Sequence, residues 1–265
     1  MCGLVLVKRK DKQSPVRPLI KRYEQQKHRG TNGYGFIAVK EGKMIGWERA
    51  KHYEEIEKML KKYNKADEIM FHHRIPTSTP NLAECAHPIK VSNPKLLKHD
   101  YYLIHNGVIT NDTVLKKKHE ELGFVYTTEV QEYKTFKTAG KTYYEKTASA
   151  IQFNDSETLA IEFALFNEGL ENTIDCYGSQ AFICYEVDRD TNDIIALHYG
   201  HNAGNPLTVY NKHSMFILSS ESKDGQEVEV MKVCSIDNKS KEAKVRPFTG
   251  YCATSPRKYP SATYS

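Results

Sequence analysis

An apolar run opens this chain almost at its first residue. Met1-Cys2-Gly3 leads straight into Leu4-Val5-Leu6-Val7, and the run stops at Lys8-Arg9-Lys10. Consecutive Leu and Val residues of this kind fit a buried strand. An export signal would place its basic residues before about 7–15 apolar ones, so the order here is reversed and the run too short. A lipid-bearing cysteine would need an apolar stretch ahead of it, and myristoylation needs Gly where Cys2 stands. The expected start is therefore a strand that carries the terminus into a sheet.

The rest of the composition bounds what surrounds that strand. With 265 residues, 39% of them hydrophobic, the chain can bury a sizeable core as one large domain. Mean hydropathy is −0.62, and no stretch approaches the roughly 18–20 apolar residues of a membrane span, so no membrane role is expected. The net charge of +5 is spread along the chain, which predicts no specific nucleic-acid partner. The six cysteines show no metal spacing, and the chain is too long for a disulfide scaffold.

Cys2 has two readings. In one it is a small apolar residue that opens the strand. In the other, removal of Met1 leaves a cysteine with its own α-amine, whose pKa of about 7.7–8.0 suits a general base. The thiol then acts as nucleophile and the amine takes its proton. Such a terminus must be held in a strand at a cleft, and Gly3 allows a close backbone approach there.

Val16, Leu19, Ile20 and Tyr23 share one helix face, and residues 35–39 and 43–47 read as a hairpin. Ile56, Met59, Leu60 and Tyr63 mark a second helix, and residues 68–72 a strand. Residues 101–105 form a strand expected to end on Asn106-Gly107, followed by a helix capped by Asn111 or Asp112. The Tyr-, Thr- and Lys-rich stretch 124–153 reads as an insertion, with 125–128 paired to 142–144. Asn154 should cap a helix whose Glu157 closes a capping box and whose apolar face is Leu159, Phe163, Phe166 and Leu170. Strands follow at 181–187, 194–199, 207–210, 215–218, 228–236 and 243–248. Residues 2–250 make a single domain, and 251–265 a flexible tail. Many strands with few helices predict an α+β fold of two packed sheets with helices outside.

Three loops carry chemistry. His72 and His73 would point to opposite faces of their strand, with no acidic residue at ligand spacing, so no metal is expected. Arg74 follows them and suits a carboxylate fork or a plain surface charge. His87, before Pro88, is held extended and serves loop order or catalysis equally well. Asn106-Gly107 is either a common turn pair or an oxyanion hole built from a side-chain amide and a backbone N–H.

Taken together, Cys2-Gly3, Arg29-Gly30, His73-Arg74-x-x-Thr77, Ala86-His87-Pro88 and His105-Asn106-Gly107-Val108-Ile109-x-Asn111 resemble the class II glutamine amidotransferases. The motifs run in that family's order over about residues 2–220. The resemblance implies a four-layer αββα sandwich of the N-terminal nucleophile hydrolase type. It implies that Cys2 attacks the side-chain amide of L-glutamine and that Asn106 and Gly107 stabilise the oxyanion. It further implies that Arg74 and Thr77 hold the α-carboxylate and Asp155 the α-ammonium, with Arg29, His73 and His87 in support. Asp155 also suits a helix start for its charge alone. Gly178–Phe182 and Asn205-Pro206-Leu207 resemble later segments that shape the pocket. Ile75 and Ser78 depart from the aromatic residue and histidine of several relatives.

The expected activity is hydrolysis of glutamine through a γ-glutamyl thioester, without cofactor, in the cytoplasm. The length leaves no room for a synthase domain, so the ammonia would pass to a separate synthase. The Lys- and Tyr-rich insertion would suit a phage-encoded version acting in host cytoplasm. Two rivals stand beside this. One is an N-terminal-cysteine amidohydrolase of the acylase type, and the other a non-catalytic module that kept the fold.

Overall fold

The apolar run at 4–7 is continuous because both faces of its strand are covered. Leu4 and Leu6 point into one apolar cluster, Val5 and Val7 into another, and all four are fully buried. A computed structural model describes residues 2–11, 13–75, 79–131, 133–138, 141–146, 152–212 and 214–248.

In chain order the elements are β1 (Gly3–Arg9), α1 (Val16–Gln26), β2 (Tyr34–Lys40), β3 (Lys43–Ala50), α2 (Tyr53–Lys62), β4 (Glu68–His73), β5 (Ile89–Val91), β6 (Asp100–Ile109) and α3 (Asp112–Glu121). The second half holds β7 (Tyr133–Thr138), β8 (Lys141–Lys146), α4 (Asp155–Asn167), β9 (Gly178–Val187), β10 (Ile194–His201), β11 (Thr208–Lys212), β12 (Met215–Ser219), β13 (Gln226–Glu227), β14 (Lys232–Asp237) and β15 (Ala243–Pro247).

One sheet runs β13-β11-β12-β1-β4-β2-β3 and the other β15-β14-β10-β9-β6-β5; their internal pairings are antiparallel. Leu4, Leu6, Ile37, Met70, Tyr102, Ile104, Ile183 and Tyr185 fill the space between the sheets. Helices α1 and α2 cover the outer face of the first sheet through Leu19, Tyr23, Ile56 and Leu60. On the second sheet, α3 and α4 pack Leu115, Leu159 and Phe163 against Tyr101, Leu103 and Phe182. The layers are α, β, β, α, as expected. β1 lies inside the first sheet and β6 inside the second, so residues at their ends can meet across the sandwich.

Several local expectations are corrected. The strand at 101–105 does not end at Asn106-Gly107: β6 continues to Ile109, with Asn106 opposite Ala181 and Gly107 opposite Gln180 of β9. Neighbouring strands override the turn preference of the pair. The hairpin partner of β8 is β7, not 125–128. Thr127 and Thr128 instead give their backbone N–H and hydroxyl groups to the Glu157 carboxylate, at 2.6–2.9 Å. Glu157 therefore does not close a capping box, although Asn154 does cap α4 by accepting from the Ser156 N–H at 3.1 Å. α4 is buried all round from Asp155 to Phe166, and Leu170 lies beyond its end, exposed. Asn111 stands at the N-cap of α3, but its side chain binds Asp175 and Tyr177. The strand expected at 228–236 is broken at Met231, whose positive φ of 58° turns the chain from the first sheet to the second. The proposed tail at 251–265 lies outside the described residues.

Candidate functional site

Cys2 stands immediately before β1, whose Gly3 pairs with His73 of β4, so Arg74 is Cys2's neighbour across the sheet. The Cys2 nitrogen donates to Asn106 Oδ1 on β6 at 2.9 Å, a bond that joins the two sheets. Cys2 is half-buried, and its Sγ lies 3.8 Å from the Ile75 carbonyl. Burial pushes its thiol above the ordinary range, against the opposing charge of Arg74.

The strand that presents Cys2 is clamped from residues far along the chain. The Cys2 carbonyl accepts from Arg29 Nε at 3.0 Å, and Arg29 is buried and paired with Glu221 at 2.5 Å. Leu4 donates to Ser220 Oγ at 3.0 Å and accepts from Ser220 N and Gln26 Nε2 at 3.0 and 3.1 Å. Gln26, Ser220 and Glu221 escaped the sequence reading. Each is an ordinary polar residue until the fold brings it to β1.

His73 lies on the outer face. Its Nδ1 donates to the Gly30 carbonyl at 2.8 Å, and burial lowers its pKa to about 4, so it is neutral. Its Nε2 has no hydrogen-bond partner and sits where a side chain at Gly3 would go: a Cβ there would lie 1.8 Å from it.

On the inner face, His72 Nε2 donates to the His105 carbonyl at 3.1 Å, which leaves His72 Nδ1 to accept from His87 Nδ1 at 3.2 Å. Burial holds both rings well below the ordinary histidine range. His105 in turn faces Ser156 Oγ at 2.8 Å. A chain of neutral imidazoles thus backs the residue before Asn106.

Arg74 is buried and donates to the carbonyls of Pro80 and Thr79 at 3.2 and 3.4 Å and to the Thr79 hydroxyl. Asp155, buried at the start of α4, accepts from the Ile109 N–H at 2.8 Å. Arg74 and Asp155 both lie close enough to Cys2 for their charges to act on its thiol. The fold thus brings together Cys2, Arg74, Asn106, Gly107 and Asp155, with Arg29, His73 and His87 behind them. Thr77 lies outside the described residues.

Among the described residues, one set of side chains has metal-ligand types close together: His99, Glu168 and Glu186, with ligand atoms within 4.8 Å. It lies at the opposite end of β6 from Cys2. His99 Nδ1 faces Glu186 at 2.6 Å, Glu168 accepts from Lys98 N and Tyr101 OH at 3.0 Å, and Glu186 also faces His198 at 3.1 Å. The sequence reading did not anticipate this group. No helix among the described residues is long and apolar enough to cross a membrane.

No protein-family model and no curated protein matches the chain. Solved structures do. The allosteric regulatory enzyme of purine biosynthesis superposes with a TM-score of 0.63 and 18% identity, over 95% of this chain and 50% of that one. Glutamine phosphoribosylpyrophosphate amidotransferase from B. subtilis, complexed with ADP and GMP, gives 0.60 and 17%, over 94% and 49%. The chain has the N-terminal nucleophile hydrolase fold. It spans about half the length of these two structures. Cys2 stands at the start of a central strand, β1, where the two sheets meet.

Proposed function

We propose that this chain is the glutaminase component of a class II glutamine amidotransferase, which hydrolyses L-glutamine to glutamate and ammonia. Loss of Met1 frees the Cys2 amine. The amine takes the thiol proton as Sγ attacks the side-chain amide carbon of glutamine. The Asn106 amide and the Gly107 N–H stabilise the tetrahedral oxyanion, a contribution of about 10²–10³ in rate per donor. Collapse expels ammonia, with the proton returned from the amine, and leaves a γ-glutamyl thioester that water hydrolyses. Arg74, with Thr77, holds the α-carboxylate, and Asp155 the α-ammonium. The ammonia passes to a separate synthase.

The observation that carries this reading is the 2.9 Å bond from the Cys2 nitrogen to Asn106. It puts the Cys2 backbone nitrogen, which becomes the α-amine once Met1 is removed, beside the group assigned to the oxyanion. Burial raises the thiol pKa, so attack in this reading requires a base, the role given to the Cys2 amine. Ammonia and glutamate release from glutamine tests it: Cys2→Ala should abolish release in a protein that remains folded. Undiminished release by Cys2→Ala would overturn the mechanism, and faster turnover of a hydrophobic N-acyl substrate would favour an acylase.

A further inference from the structure

The carboxamide of Asn106 has two unlike ends, and an oxyanion donor must present its nitrogen. Its Oδ1 accepts from the Cys2 nitrogen at 2.9 Å, and its Nδ2 donates to Asn205 Oδ1 at 3.3 Å. Asn106 and Asn205 are 1% and 5% exposed, so water does not readily replace either contact. A flipped amide would set oxygen against the Asn205 oxygen and N–H against the Cys2 N–H. Nδ2 carries two hydrogens; Asn205 engages one and leaves the other for substrate.

The Cys2 end alone does not hold this orientation through a reaction. A neutral α-amine, the form that acts as base, has a lone pair beside its hydrogens and can accept as well as donate. The Asn205 carbonyl oxygen only accepts. We propose that Asn205 is a positioning residue, whose side-chain carbonyl fixes the Asn106 amide with its nitrogen toward the oxyanion. The inference rests on the glutaminase reading.

The backbone that carries Asn205 is well held. His201 Nδ1 lies 3.0 and 2.9 Å from the carbonyls of Asn202 and Asn205. Asn202 accepts from the N–H groups of Gln180 and Gly204 at 2.9 and 3.1 Å and donates to the Gly178 carbonyl at 2.6 Å. The loop therefore hangs on β9, the strand that pairs with Asn106. A Cβ at Gly204 would lie 2.5 Å from Ser179 Cβ, which keeps the loop against that strand. Fully buried Leu207 anchors its far side.

Two variants separate this role from packing. Asn205→Leu fills the space but offers no acceptor and keeps water out; Asn205→Ala lets a water take the acceptor's place. The expected result is a fall in kcat of about tenfold for Leu and a smaller fall for Ala, with KM for glutamine within about twofold. A packing role would make Ala the worse of the two, and that order, or wild-type kcat in both, would overturn the proposal. A readout that needs no turnover is the ¹⁵N–¹H spectrum of the Asn106 side-chain NH₂, assigned by its loss in Asn106→Asp. Asn205→Leu should shift or broaden that pair, and an unchanged pair would overturn the contact. Should the unaltered protein leave glutamine intact, the glutaminase reading falls, and the catalytic sense of this inference falls with it whatever the spectra show.

Discussion

Gly107 shows how little room the site has. Its φ of +156° lies where side chains are disfavoured, and a Cβ would lie 1.8 Å from the Ser179 carbonyl and 2.5 Å from His105 Nε2. The first clash is with backbone, so β6 and β9 would have to part beside Asn106. Gly107→Ala should therefore lower glutaminase turnover by at least the factor of about 10² that one oxyanion donor represents, measured as ammonia release. Wild-type turnover in that variant would show that the Gly107 N–H is not part of the oxyanion site. Gly3 has the same logic on the other strand, where its missing side chain leaves room for the neutral His73 ring.

At the scale of elements, β1 could be read from its apolar run, α1 and α2 from their spacing, and the β2–β3 hairpin from its two strands. Cys2, Arg74, Asn106 and Asp155 are singled out by the ordered set of motifs rather than by any one of them, and the fold brings these four together. Three kinds of feature could not be read. A pair such as Asn106-Gly107 has a strong local turn preference, and only the strands on either side of β6 override it. Glu157 has capping-box spacing, yet Thr127 and Thr128 arrive with four donors and take both carboxylate oxygens. The clamps on β1 come from Ser220 directly and from Glu221 through Arg29, partners more than 190 residues away in sequence. No local pattern encodes such a partner. The Glu157 arrangement ties the 124–131 segment to the start of α4, one residue pair from Asp155. Glu157→Gln keeps the shape but turns an N–H pair toward groups that donate, so stability to urea should fall by about 1–3 kcal/mol. An unchanged midpoint would mean that the threonines can do without the carboxylate.

The whole molecule carries an acid sensitivity that follows from its buried histidines. In the unfolded chain a histidine titrates near 6.5, whereas His73 in the fold does so at about 4 and His72 and His87 well below the ordinary value. Between these limits the unfolded state binds more protons, so stability rises with pH through this window and is lost as pH falls from about 6.5 toward 4. For His73 alone the shift corresponds to about 3 kcal/mol at the acid end. Urea midpoints measured from pH 7 to pH 5 should fall steadily, and a flat profile would contradict neutral burial of these rings. All three rings lie at or beside the Cys2 end of the sandwich, so the same acid range should disorder the site first.

The central claim is that Cys2, freed of Met1, is the nucleophile that attacks glutamine. Intact-mass measurement before and after treatment with a glutamine-analogue diazoketone tests it most directly. The expected mass lacks Met1, and a single adduct maps to Cys2 and is prevented by excess L-glutamine. A protein that retains Met1, or one whose Cys2 stays unlabelled while the reagent is in excess, would contradict it.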